Sequence, residues 1–327
     1  MLQEDKPFEL IYDPAAGAQT SDAGGVSSAL FCSFVKHALM KRFPSFSEAN
    51  PASPAPFPAP GVAKAVTPAN SMYNVIVLDI LSLIAKKNHK KIAILHPDSL
   101  TRCLGQEANQ RSNERRQMLT DLQDALLAAD LVLAFNQADL MPLMVLGAPR
   151  LRAVPFPALA AKPPAHPRFD LLIIDHGDDD AVPAALLAEI EADGTGLTAR
   201  VWHERPDNQA HTAASMFGTA ARIHLHVATA GPQSTRFRMV DSLAQRTPII
   251  QMANDIYDLP KLDHPTPPAR IEHNHTGLCI SGIQGLLPAV KSLLHDSAMA
   301  DLFSRNGHRI AAHYNAAVES LMLGALT

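Results

Sequence analysis

Short apolar runs alternate with longer stretches of helical period from one end of the chain to the other. The runs Phe8–Tyr12, Val75–Ile80, Ile92–Leu95, Leu131–Phe135 and Leu151–Val154 predict one series of strands. Leu171–Ile174, Thr198–Trp202, Ile223–Val227, Ile249–Gln251 and Leu278–Ile280 predict a second. Several are continuously apolar rather than alternating, the pattern of parallel strands buried on both faces. Between them the apolar positions recur at helical spacing. Leu119, Leu122, Leu126 and Leu127 share one helix face, and so do Ile283, Leu286, Leu287, Val290, Leu293 and Leu294. A further helix is predicted over Ser27–Met40. Alternation of β and α over this length predicts an α/β fold with two doubly wound, Rossmann-like parallel sheets.

The pattern lapses in two places. Residues 155–167, PFPALAAKPPAHP, hold five prolines and neither period, which predicts a stiff linker and two domains, 1–157 and 158–327. Residues 42–70, RFPSFSEANPASPAPFPAPGVAKAVTPAN, are too long and too rich in proline for a simple connection. They read either as a loop over a cleft or as a disordered insertion. Two domains also suit the length of 327 residues, because single cores stop growing near roughly 250–300 residues.

Composition narrows the class. The chain is 47% hydrophobic and 18% charged, which excludes wholesale disorder. Its net charge of −4 argues against a general nucleic-acid binder, which needs a dominant basic surface. No apolar run approaches the roughly 20 residues of a membrane span. The N-terminal MLQEDKPFELIYDP lacks the basic-then-apolar order of a secretory signal. Cys32, Cys103 and Cys279 are too far apart for a zinc or disulfide framework, and a cytoplasmic setting is expected.

In α/β proteins ligands sit at the carboxyl ends of the strands, so the segments after each strand carry the candidate chemistry. Gly24 and Gly25 precede a predicted helix, where paired glycines let a ligand approach backbone N–H groups or simply make a turn. His96 follows the strand Ile92–Leu95 directly, placed to bond a sugar hydroxyl, to move a proton, or to shape a turn beside Pro97. The segment from Gly231 to Ile250 is the most informative. Gln233 lies in a polar turn, Arg236 and Arg238 suit a diphosphate, and Asp241 suits ribose hydroxyls. His224 with His226, and His273 with His275, alternate as strand residues sharing a face, but no carboxylate or cysteine stands at ligand spacing, so no metal site is expected.

Taken in order, these segments resemble the GT-B glycosyltransferases, and within them the large retaining family four with its two Rossmann-like domains. Gly24-Gly25-Val26 is similar to that family's Gly-Gly-Val at the first helix, and His96 to its histidine after an N-domain strand. Ala128-Ala129-Asp130, Leu146-Gly147-Ala148-Pro149 and Val154-Pro155 are similar to its passage into the linker. Thr247-Pro248-Ile249-Ile250 and His275-Thr276-Gly277-Leu278 resemble its "gly-thr-pro-val-ile" and "glu-thr-gly-leu". The resemblance implies a cleft between the two domains, a terminal helical region from Met299 packing back on the N-domain, and a metal-free reaction.

Two departures bear on activity. The family's two glutamates, eight positions apart, match Gln233 and Asp241, so one carboxylate is kept and one lost. Some members carry a basic residue three positions before the second, where Arg238 stands. Where the family has an arginine and a lysine for the diphosphate, this chain reads Asp175-His176-Gly177-Asp178-Asp179-Asp180. Those aspartates read as caps of the next helix, as opponents of phosphate binding, or both.

The resemblance therefore implies a hexosyltransferase taking a nucleotide sugar as co-substrate and a glycan, lipid carrier or protein as acceptor. Gly24, Gly25, Gln233, Arg236, Arg238 and Asp241 would hold the donor, with His96 and Asp241 at the reacting sugar. A lipid-linked acceptor would bring peripheral contact with a membrane. The alternative is a catalytically inactive relative that binds a protein partner or a glycan. A Rossmann dehydrogenase fits less well, since no Gly-x-Gly-x-x-Gly opens a helix. Asp241, as a cleft carboxylate, is expected to be dispensable for folding.

Overall fold

A computed structural model describes residues 8–11, 24–43, 74–78, 80–85, 91–95, 112–135, 137–159, 167–175, 181–203, 221–228, 239–253 and 271–326. The chain divides into two compact units. One comprises residues 1–19, 31–156 and 318–327, and the other residues 20–30 and 157–317.

The first unit holds a sheet of β1 (Phe8–Ile11), β2 (Asn74–Val77), β3 (Lys91–Leu95), β4 (Ala129–Ala134) and β5 (Leu151–Ala153), in that spatial order. All pairings are parallel. Val77, Ala93, Leu95, Val132 and Ala134 join one core with residues of helices α2 (Ile80–Ala85), α3 (Ser112–Leu127) and α4 (Gln137–Val145). The alternate positions Ile76, Ile94, Leu131 and Leu133 are also buried. Both faces are thus covered, and this is why these strands read as unbroken apolar runs. Helix α1 (Gly24–Arg42) buries Phe31, Val35, Ala38 and Leu39 at the spacing of one helix face. It is longer than the expected Ser27–Met40 and takes in Gly24 and Gly25. Leu122 and Leu126 of α3 are buried as expected, but Leu127 is 55% exposed at the helix end.

The second unit holds β6 (Phe169–Asp175), β7 (Ala199–His203), β8 (Ala221–Ala228), β9 (Ile249–Ala253) and β10 (Leu278–Ile280). Their spatial order is β10-β9-β8-β6-β7, all parallel. The order runs one way from β6 to β7 and the other way from β6 through β8 to β10. This reversal is the mark of a doubly wound sheet, and ligands of such folds bind outside the carboxyl ends of the strands that flank it. Leu171, Ile173, Ile223, Leu225, Val227, Ile250 and Met252 pack in one core with α5 (Ala181–Asp193) and α7 (Leu286–His295). The terminal helix α8 (Ser297–Leu326) buries Phe303, Gly307, Ala311, Tyr314, Val318, Met322 and Leu326, a single stripe along its length.

The segment Pro155–Leu159 departs from the expected exposed linker. Phe156 stacks on Phe31 with ring centroids 5.5 Å apart and meets Phe135 edge-on at 5.8 Å. Ala158 and Leu159 are buried as well. Asn315 of α8 clamps Ala158 from both sides: its Oδ1 accepts from Ala158 N–H at 2.6 Å, and its Nδ2 donates to Ala158 C=O at 2.9 Å. Prolines prevent regular pairing here but leave the chain free to lie extended and pack. Residues 160–166 of the proline-rich stretch, and residues 44–70 of the other, lie outside the described residues.

Candidate functional site

Strand β8 flanks the reversal of the second sheet, and the short helix α6 (Met239–Ala244) follows it in sequence. Six residues cannot hold a helix by themselves, since nucleation fixes several residues for one hydrogen bond. Tertiary contacts hold this one. Val240 and Leu243 are buried, and Gly307 of α8 has no room for a Cβ against the Leu243 side chain. His308 Nδ1 bonds the carbonyl of Ala244 at 3.2 Å, at the end of the helix.

Asp241 lies in the first turn of α6, where the partial positive charge of the helix start favours a carboxylate. It is 3% exposed, and its Oδ1 accepts a hydrogen bond from Leu159 N–H at 2.9 Å. The expectation of a solvent-facing carboxylate without a part in folding is therefore corrected. The group is buried and holds Leu159, within the second unit.

Its neighbour Ser242 is fully buried. Ser242 Oγ lies 2.8 Å from His224 Nδ1 and 2.9 Å from His226 Nε2. The two histidines share a face of β8 because they are two positions apart, but they converge on a hydroxyl. Burial pushes the His224 imidazole down to about 4, so the ring is neutral at physiological pH. Among the described residues no group of three or more His, Cys, Asp or Glu could hold a metal ion. The sequence pointed to Asp241 but missed Ser242. No local signal marks a serine whose partners lie on a strand.

The segments that carried the family resemblance have visible structural work. A Cβ at Gly277 would overlap the carbonyl oxygen of Ile249, so β10 can reach β9 only with glycine there. Thr276 is buried and its Oγ1 accepts from Glu272 N–H at 2.8 Å. His273 Nδ1 accepts from Cys279 N–H at 3.0 Å, and His275 lies 3.1 Å from the exposed Glu272 carboxylate. Pro248 C=O accepts from His224 N–H at 3.0 Å, which places the Thr-Pro segment beside β8. Gly147 has φ +93°, a left-handed turn that ends α4.

Gly24 and Gly25 are the first residues of α1 rather than a turn before it. His96, Gln233, Arg236, Arg238 and the run Asp178–Asp180 lie outside the described residues. Asp175, the last residue of β6, is fully buried. Of Gln233, Arg236, Arg238 and Asp241, Asp241 alone falls among the described residues.

No family model matches the chain, and no curated protein matches it. Among solved structures it is similar to a sucrose-phosphate synthase from Thermosynechococcus elongatus, over 98% of both chains, at 14% identity and a TM-score of 0.44. It is also similar to the DNA-modifying enzyme β-glucosyltransferase, over 98% of this chain and 99% of that one, at 10% identity and a TM-score of 0.48. A third is the pneumococcal O-GlcNAc transferase GtfA in complex with UDP and GlcNAc, at 13% identity and a TM-score of 0.37. That match covers 77% of this chain and 56% of GtfA. No helix among the described residues is long and apolar enough to cross a membrane.

Proposed function

We propose that the protein is a GT-B glycosyltransferase of the retaining family-four kind, moving a hexose from a nucleotide sugar to a glycan, a lipid carrier or a protein. The observation that carries this reading is the place of Asp241. It is the acidic residue matching the family's second glutamate, and it stands in the first turn of the helix that follows β8, a strand at the reversal of the second sheet. In this reading the Asp241 carboxylate accepts bonds from ribose hydroxyls, with Gln233 beside the donor. Breaking the sugar–phosphate bond leaves negative charge on the diphosphate, and stabilising it takes fixed positive groups. Arg236 and Arg238 supply them without a metal. Gly24 and Gly25 let the donor approach the start of α1, and His96 contacts the sugar.

A second reading has a specific observation behind it. Asp241 is 3% exposed and its Oδ1 is engaged by Leu159, as expected if the donor site of an ancestor has become a structural tie. The acidic run Asp178–Asp180, where basic residues would serve the diphosphate, favours the same non-catalytic, partner-binding or glycan-binding subunit.

A thermal-shift screen with UDP, GDP, ADP and TDP tests the first reading. A ligand of the folded state must raise the midpoint. A shift with one nucleotide supports the transferase and names its base; no shift with any of them overturns it.

A further inference from the structure

We infer that Ser242 is the positioning residue for Asp241: by bridging His224 and His226 of β8, its hydroxyl fixes the rotation of helix α6 and so the direction of the Asp241 carboxylate. The functional half of this inference rests on the donor-site reading above; the structural half does not.

A serine hydroxyl has one proton and two lone pairs. With ring nitrogens of His224 and His226 at 2.8 and 2.9 Å, it either donates to one ring and accepts from the other or accepts from both. At least one ring presents N–H to the oxygen, because a single proton cannot serve two lone pairs, so the two tautomers are linked. His224, His226 and Ser242 are all within 1% of full burial, where an unmade hydrogen bond is not replaced by water. The bridge therefore holds the Ser242 hydroxyl of α6 against two points along β8. One off-axis atom held in this way sets the rotation of α6 about its axis, whereas the apolar contacts of Val240 and Leu243 are non-directional.

The consequence falls on the next residue. Adjacent helical side chains diverge by about 100°. With Ser242 turned to the sheet, Asp241 is turned off it and meets Leu159 N–H at 2.9 Å. Without the bridge, α6 keeps its apolar anchors but loses the contact that sets its angle. Asp241 then loses its aim at Leu159 and, in the transferase, at the donor.

The test is amide hydrogen exchange on the full chain, reading Leu159 against strands β6 and β8, for wild type, Ser242→Ala and Ser242→Thr. The inference expects the Leu159 amide to exchange about tenfold faster in Ser242→Ala, with β6 and β8 within about twofold of wild type, and Ser242→Thr to restore protection. Unchanged Leu159 protection in Ser242→Ala overturns it. So does an equal rise at Leu159, β6 and β8, which marks general destabilisation. Should Ser242→Ala not fold, His226→Gln, which withdraws one ring and leaves the hydroxyl, is read the same way. Titration calorimetry of the same variants with UDP, GDP and ADP reads the functional half. Affinity should fall about tenfold in Ser242→Ala and return in Ser242→Thr. If wild type binds none of these, the donor-site reading fails, and Leu159 exchange still decides the positioning role.

Discussion

Asp241 Oδ1 and Leu159 N–H, 82 positions apart in the chain, meet at 2.9 Å in a buried hydrogen bond. The bond makes a residue matched to substrate binding part of the fold's framework. Asp241→Ala leaves the Leu159 N–H unpaired and should destabilise the protein by about 1–3 kcal/mol. Asp241→Asn keeps an acceptor and should cost less. Urea denaturation of both variants checks this; equal, negligible losses would mean the bond contributes nothing.

Stability should depend on pH through His224. Its folded-state pKa is about 4, below the ordinary 6.5, because burial disfavours the charged ring. The unfolded chain therefore binds more protons between those values. The stability that neutral His224 confers is complete above about pH 6.5 and is lost as pH falls towards 4, on the order of 3 kcal/mol in all. His224→Gln should flatten this limb of the stability curve. A variant with the same acid dependence as wild type would assign the effect to other groups.

Gly277→Ala should destabilise by about 1–3 kcal/mol or more, because the added Cβ meets a backbone oxygen of β9 that cannot rotate away. The change forces β10 from β9 and should lower the thermal midpoint. An unchanged midpoint would mean that β10 is loosely held.

The clamp of Asn315 on Ala158 should govern protease access to Pro155–Leu159. In the wild type this buried segment should resist cleavage. Asn315→Ala leaves both backbone groups of Ala158 unpaired, and cleavage there should quicken, since nicking follows exposed, unbonded backbone. Equal cleavage rates in the two proteins would remove the clamp from the account.

The strands were legible because parallel strands buried on both faces are apolar throughout, as Ile92–Leu95 and Leu171–Ile174 are. Local pattern cannot report a partner far along the chain. Pro155–Leu159 reads as linker because its prolines break both periods, yet Phe156 finds Phe31 and Phe135, and Ala158 finds Asn315. His224 and His226 read as a metal temptation because strand alternation puts them on one face. Only the placement of α6 reveals that Ser242 takes the position between them. Asp241 is legible through its motif, but its bond to Leu159 is not, since no motif contains Leu159.

The central claim is transfer from a nucleotide sugar, and its most direct measurement is release of nucleoside diphosphate from UDP-, GDP- and ADP-linked hexoses by the purified protein, with glycan, lipid-linked and peptide acceptors. The account predicts that one of these donors is consumed well above its rate in buffer, that this requires an acceptor of one class, and that Arg238→Ala loses the reaction while remaining folded. No release from any donor, together with no binding of any nucleoside diphosphate, would contradict it and leave the non-catalytic reading in its place.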